Sequence, residues 1–216
     1  MTVGADTLRE RFAVHGRFYE VEIGGRSFAM RSHLEIFERS LSWPLVADAD
    51  ADLVAVMMNP GASRPLDEAD RSGWAPALPD RTQYQLMKLA LAAQQAGRSI
   101  RHIRVINLSD LRTPKSAELF STLATLADDR HSIFSPRRAA ELQSALGRQR
   151  RSPLLRAWGL ARQLEPWATA AVAATGNAEV LGLTDNGLAY RHPLPQRADF
   201  QQRWLNDMAR QIVRKA

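Results

Sequence analysis

Polar and apolar positions along the 216 residues change their pattern several times, and each pattern predicts an element. Residues 18 to 31, FYEVEIGGRSFAMR, alternate on both sides of Gly24-Gly25, with Tyr19, Val21 and Ile23 in one arm and Phe28 and Met30 in the other. Alternation around a glycine pair predicts a β-hairpin. Leu53 to Met58, LVAVMM, is apolar throughout, the pattern of a parallel strand covered on both faces, and it stops at Asn59-Pro60-Gly61. After a polar, turn-rich stretch, Asp80 is placed to cap a helix to about residue 96, with Tyr84, Met87 and Leu91 at helical spacing and Gly97 as terminator.

A strand over 103 to 106 follows and ends at Asn107, so strand, helix and strand make a right-handed crossover. Helices are expected over about 116 to 127 and 136 to 146, then a strand over 153 to 157 ending at Trp158-Gly159. A helix over 160 to 174 leads to a strand over 179 to 183 and a turn at Asp185-Asn186-Gly187. His192-Pro193-Leu194-Pro195 precedes a last helix, 199 to 213, with Phe200, Trp204 and Met208 on its core stripe.

The alternation predicts an α/β chain: a three-layer αβα fold with a short, mainly parallel four-stranded sheet and an N-terminal β-hairpin extension. Residues 1–40 are read as the extension, packed on a main domain of residues 41–216. Ligands of such sheets bind beyond the carboxyl ends of the strands. Asn59, Asn107 and His192 all fall at that edge, with Trp158-Gly159 at a further strand end. Taken singly, the two amides also suit a turn and a strand end, and the imidazole suits a hydrogen-bonded core position.

Composition narrows the chemistry. Hydrophobic residues make up 45% and charged residues 24%, enough apolar material for a sizeable core. With no cysteine, disulfides, thiol nucleophiles and thiolate metal sites are excluded. No HExxH or paired-histidine spacing argues for a metal, and no GxGxxG or GxxxxGK[ST] loop argues for a nucleotide cofactor, so none of either is expected. The net charge is +6, carried by 26 arginines and three lysines. An arginine-dominated basic surface suits nucleic acid, although a GC-rich genome produces the same ratio. The cluster Arg137, Arg138, Arg148, Arg150 and Arg151 is either a solvated face or a phosphate-contacting one. With no apolar run of about 18 residues and no signal-peptide pattern, no membrane association is expected and the chain reads as cytoplasmic.

In order along the chain, MMNPG (57 to 61), VINL (105 to 108), AWG (157 to 159) and HPLP (192 to 195) resemble the motifs of the uracil-DNA glycosylase superfamily, the first looking most like its mismatch-specific and thymine-DNA branch. NPGAS and VLGLTDNGLAYRHPL are also similar to an uncharacterised bacterial family with NPSTAD and GLTxDGxPRHPL signatures. The resemblance implies hydrolysis of the N-glycosidic bond of a flipped-out pyrimidine by a monomeric enzyme acting on DNA. It implies that Asn59 positions the attacking water, that Asn107 reads the base edge, and that His192 stabilises charge on the leaving base. Pro60, Gly61, Ala62, Ser63 and Trp158 would complete the substrate pocket, and Pro193, Leu194, Gln196 and Arg197 would enter the DNA beside Arg137, Arg138 and Arg151.

Gly61 stands where strict uracil enzymes of that superfamily carry a tyrosine, which implies room for a C5 substituent on the base. Leu194 replaces a serine of the family pattern, and Trp74 and Tyr84 are candidates for a stacking aromatic. The loop acids Asp67, Glu68 and Asp70 are read as solvated or capping groups. A non-catalytic nucleotide or nucleic-acid binding module, and a free nucleotide or nucleoside hydrolase, are the alternatives.

Overall fold

The computed structural model describes residues 3–126, 128–147, 152–176 and 178–214. The chain passes through α1 (Ala5–Arg11), β1 (Phe12–Ile23), β2 (Arg26–Glu38), α2 (Trp43–Asp48), β3 (Leu53–Met57), β4 (Trp74–Pro76), α3 (Arg81–Gln95) and β5 (His102–Asn107). It continues through α4 (Ser116–Thr125), α5 (Ala139–Ala145), β6 (Leu154–Arg156), α6 (Glu165–Ala174), β7 (Val180–Leu181) and α7 (Ala198–Arg214). Short 3-10 turns, Pro136–Arg138 and Arg162–Leu164, lead into α5 and α6.

The strands form one mixed sheet in the order β4-β1-β2-β5-β3-β6-β7. The four parallel strands expected from the sequence are present as β5, β3, β6 and β7. The sheet is nonetheless seven-stranded rather than four-stranded. The hairpin accounts for two of the extra strands: β1 and β2 pair over their full length, β2 joins β5 antiparallel, and β1 takes β4 on its free edge. Gly24 and Gly25, at φ +58° and +72°, make the turn between them, since a two-residue hairpin turn of this hand needs positive φ at both positions. The hairpin, Phe12 to Glu38, is thus continuous with the sheet formed by the later strands.

Both faces of the parallel strands are covered. Leu53, Ala55, Met57, Ile103 and Val105 face a core shared with α3 and α7, including Leu86, Met87, Trp204 and Met208. Val54, Val56, Ile106 and Leu154 face the opposite core, with Leu142 of α5 and Ala168 and Ala171 of α6. The absence of alternation in LVAVMM therefore reflects burial on two sides. A third, smaller cluster packs Met30 against Leu111, Leu119 and Leu123, which seats α4 beneath the hairpin. Helix α3 begins with a capping box: Asp80 Oδ1 accepts from Gln83 N at 2.8 Å and Gln83 Oε1 accepts from Asp80 N at 3.1 Å. Phe200, expected in the core, is 40% exposed, because the fully buried stripe of α7 is made by Trp204, Met208 and Ile212.

One buried ionic group ties the hairpin to the parallel strands. Glu35 and Arg104 are cross-strand partners on β2 and β5. The Glu35 carboxylate accepts from Arg104 Nε at 2.7 Å and from His102 Nε2 at 2.6 Å. His102 thus has a partner that its sequence neighbourhood did not reveal. Burial pushes the Glu35 carboxyl up, but the bond from His102 and the Arg104 guanidinium outweigh it and hold the group below its ordinary 4.5. A depressed folded value means stabilisation that is complete above the unfolded value and is lost as the pH falls through the folded one. Glu35→Ala is expected to destabilise the protein by about 3–5 kcal/mol in denaturant titration at pH 7, because Arg104 is left charged and buried, and the deficit should shrink below pH 4.5.

Candidate active site

The parallel pairing of β3 with β5 sets Met57 opposite Asn107, so both strands end at the same level. A cavity of about 170 Å³ opens there, smaller than the ~300 Å³ at which pockets for drug-sized ligands begin. Its wall includes Asn59, Asn107 and His192, the three polar residues that the sequence assigned to strand ends. Pro60 and Gly61 from the loop after β3 also line it, as do the apolar side chains of Met57, Met58, Leu86 and Val105. Arg31 from β2 and Asp80 at the start of α3 complete its charged lining.

Asn107 is fully buried, and neither its Oδ1 nor its Nδ2 has a hydrogen-bond partner. A buried amide left unpaired at both ends is costly, typically about 1–3 kcal/mol. In a cavity wall, that arrangement offers a ligand one donor and one acceptor side by side. Asn59 is fixed differently. Its Nδ2 donates to Leu111 O at 3.1 Å, Thr113 O at 2.9 Å and Thr113 Oγ1 at 3.2 Å. Carbonyl oxygens can only accept, so the amide nitrogen must face the 111–113 loop, leaving Oδ1 as the end that Asn59 can offer to a water.

His192 is held by its own loop: the backbone N–H of Leu194 donates to Nδ1 at 3.1 Å. The proton of the neutral ring is therefore on Nε2. Burial lowers its pKa below the ordinary 6.5, opposed by the Asp80 carboxylate, so the neutral donor form prevails at pH 7. Helix α7 carries this loop, since Gln201 Nε2 donates to Pro195 O at 2.7 Å and Trp204 Nε1 to Arg191 O at 3.2 Å.

Two charged cavity residues were not singled out from the sequence as site residues. Arg31 belongs to the hairpin, which the pattern reads as an extension packed on the main domain and which is assigned no site residue. Asp80 was read only as a helix cap, and it is one, but its position also gives the cavity a carboxylate. Arg31 stands one residue out of phase with Phe28 and Met30, where alternation expects a polar side chain, so the sequence carried no signal for it.

Apart from Pro60 and Gly61, the other expected site residues lie outside the cavity. Gly61 has open space where a side chain would begin, in keeping with the expected void, yet its φ of +61° strains any other residue there. Ala62 is exposed, and Ser63 is buried with its carbonyl accepting from Arg112 Nε at 2.6 Å; neither lines the cavity. Trp158 is 1% exposed and donates to Leu188 O, so it packs in the core beneath the strand end rather than in the pocket. Trp74 packs against Trp43 and His33, and Tyr84 accepts from Arg9; neither ring lines the cavity, where the imidazole of His192 is the one aromatic ring among the described residues. Asp67 and Glu68 are exposed, and Asp70 closes the turn before β4 through Ser72 and Trp74.

Pro193 is buried, Leu194 half-buried, and Gln196 and Arg197 exposed beside the His192 loop. Arg197 is paired with Asp199. Arg137 is exposed. Arg138, expected to contact DNA, instead donates to Asp110 at 2.6 Å and holds Glu141 through Nε and Nη2, which turns its guanidinium inward. Arg148, Arg150 and Arg151 lie outside the described residues.

Among the described residues, no group of three histidine, aspartate or glutamate side chains is placed to hold a metal, and no helix is long and apolar enough to cross a membrane. Asn107→Leu is expected to raise the unfolding free energy by about 1 kcal/mol, because it removes two unpaired polar ends from the interior. Chemical denaturation checks this: a structural asparagine would instead lose stability on the same change. Compared with protein-family models, curated proteins and solved structures, the chain matches none of them.

Proposed function

We infer that the chain is a DNA glycosylase of the uracil-DNA glycosylase type, hydrolysing the N-glycosidic bond of a pyrimidine extruded into the cavity at the ends of β3 and β5. The single observation that carries this reading is Asn107, a buried amide with both ends unpaired in a cavity sized for one ring and shared with Asn59 and His192. A pyrimidine edge presents adjacent donor and acceptor groups, and an asparagine complements them in one plane. Asn59 Oδ1 would accept from the attacking water and orient its lone pair toward the sugar carbon. An amide cannot take the proton outright, so the route it suits is dissociative: the C–N bond opens first, and water needs orientation more than deprotonation. The Nε2–H of neutral His192 would donate to an oxygen of the departing base.

The open space at Gly61 supports a base with a C5 substituent. The rest of the polymer would run along the larger groove of about 590 Å³ that also has His192 in its wall, together with Arg191, Arg203 and Phe200. The guanidinium carbons of Arg197 and Arg203 lie 4.6 and 5.5 Å from the centre of the half-exposed Phe200 ring, a pairing of charge and flat apolar surface that suits a single strand. The protein would act as a monomer without metal or cofactor.

A binding module without hydrolysis is the second reading. It is favoured by the commitment of Asp80, the one carboxylate lining the cavity among the described residues, to the α3 capping box. Labelled DNA carrying uracil or 5-substituted pyrimidines decides between them, with alkali cleavage reporting abasic sites. Wild-type protein should release a base, and Asn59→Ala should slow release by about a hundredfold while remaining folded. Undiminished release by folded Asn59→Ala would remove that residue from the chemistry, and salt-sensitive binding without abasic sites would favour the module.

The activity should be level above pH 6.5 and fall only below it, since protonating His192 Nδ1 breaks the Leu194 contact and that step is displaced to lower pH. A rate profile on the released base checks the sign: activity that rises on acidification through pH 6.5 would exclude a neutral His192 donor.

A further inference from the structure

The cavity holds a cation without a counter-ion. Arg31 is 2% exposed, its Nε and Nη1 have no hydrogen-bond partner, and among the described residues it forms no ion pair. Burial lowers its pKa to about 10, opposed by the charges of Asp80 and Asp110, so it remains protonated at neutral pH.

A break in the β1–β2 ladder aims it there. Arg17 pairs with His33 but Phe18 pairs with Arg31, which leaves Ser32 as one extra residue in β2. Leu34 faces the core on the α3 side, and regular alternation would turn Arg31 to the opposite face. The bulge reverses that, setting Arg31 beside Phe18 and into the cavity, a known use of such irregularities near functional sites. Gly16 leaves the room: a Cβ there would stand 3.3 Å from Arg31 Cδ and 2.8 Å from the Phe18 ring.

We propose that Arg31 is a further catalytic residue, the cation that receives the negative charge of the base as it leaves. This rests on the glycosylase reading and adds a residue to it. When the C–N bond breaks heterolytically, its electron pair goes to the base, the sugar carbon is left positive, and water then supplies a hydroxyl to that carbon while its proton ends on the base through solvent. Asp80 and Arg31 stand on the wall of one cavity without pairing. Two opposite, uncombined charges match a reaction that separates charge: the carboxylate favours the cationic sugar and the guanidinium the anionic base. A charge fixed before the reaction needs no reorganisation during it.

The test uses free bases with the whole 216-residue chain, so it does not depend on activity. 5-Nitrouracil, which is anionic at pH 8, and uracil, which is neutral there, serve as the leaving base with and without its charge. Calorimetry on the wild type should give about tenfold to hundredfold tighter binding of 5-nitrouracil, the range expected of one charged hydrogen-bonding group. Arg31→Met should remove that preference, so that the two bases bind alike, and should raise Tm by removing an unpaired buried charge. Arg31→Lys should retain part of the preference. Thymine, neutral and carrying a C5 group, controls for substituent size and should bind like uracil.

Equal binding of 5-nitrouracil and uracil by the wild type, or a preference that survives Arg31→Met, overturns the assignment and leaves the glycosylase reading standing. Thymine binding as tightly as 5-nitrouracil also overturns it, by tracing the preference to size. A wild type that binds none of the three bases removes the assignment and the base-binding reading together.

Discussion

The parallel pairing of β3 with β5 is the constraint on which the site depends. Because Met57 and Asn107 are register partners, the two strands stop together, and the loops leading out of them must leave the sheet at one place. The bonds from Leu108 N to Met57 O and from Ser109 N to Met58 O continue the ladder just past the strands and fix both exits. The amide of Asn59 then reaches across to the 111–113 loop, so the two exits brace each other. The third exit, the His192 loop, is brought over by α7, itself seated against α3.

Buried polarity is of two kinds in this molecule. Around Glu35 every charge is answered: His102 and Arg104 converge on one carboxylate, and the guanidinium also reaches the Ala49 carbonyl at 3.1 Å. Around Asp110 the same holds for Oδ2, which accepts from Tyr19 at 2.8 Å and Arg138 at 2.6 Å. Asp110 also bonds through its backbone to His131 and Arg31, so this group steadies the loop that in turn holds Asn59. Arg138 therefore serves the site from behind it. Asn107 and Arg31 are the contrast: buried, polar and unanswered, both in the wall of the same cavity. Other buried groups, such as Ser32, Ser63 and Asp110, leave one side-chain atom without a partner, whereas Asn107 and Arg31 each leave two, and both open on the cavity.

Much of this was legible in the residues. The continuous apolar run of β3, the capping signal of Asp80, and the glycine pair of the hairpin are local signals, because the burial or backbone angle each demands is written in neighbouring residues. The positions of Asn59, Asn107 and His192 beyond the parallel strands come from the same signals, since right-handed crossovers bring successive parallel strand ends to one edge of the sheet. The short elements, α1, α2 and β4, carry too few residues for a period to emerge, and α7 leaves Phe200 half-exposed because its fully buried stripe is made by Trp204, Met208 and Ile212.

The sequence by itself determined the parallel core, the hairpin and the convergence of two amides and an imidazole, all of which depend on spacing along the chain. Only the tertiary structure decided that the hairpin joins the sheet beside β5, that a one-residue slip at Ser32 turns Arg31 into the cavity, and that Arg138 faces inward. These depend on which strand lies next to which and in what register. Pairing of that kind is settled by contacts between residues dozens of positions apart, and no local pattern encodes it.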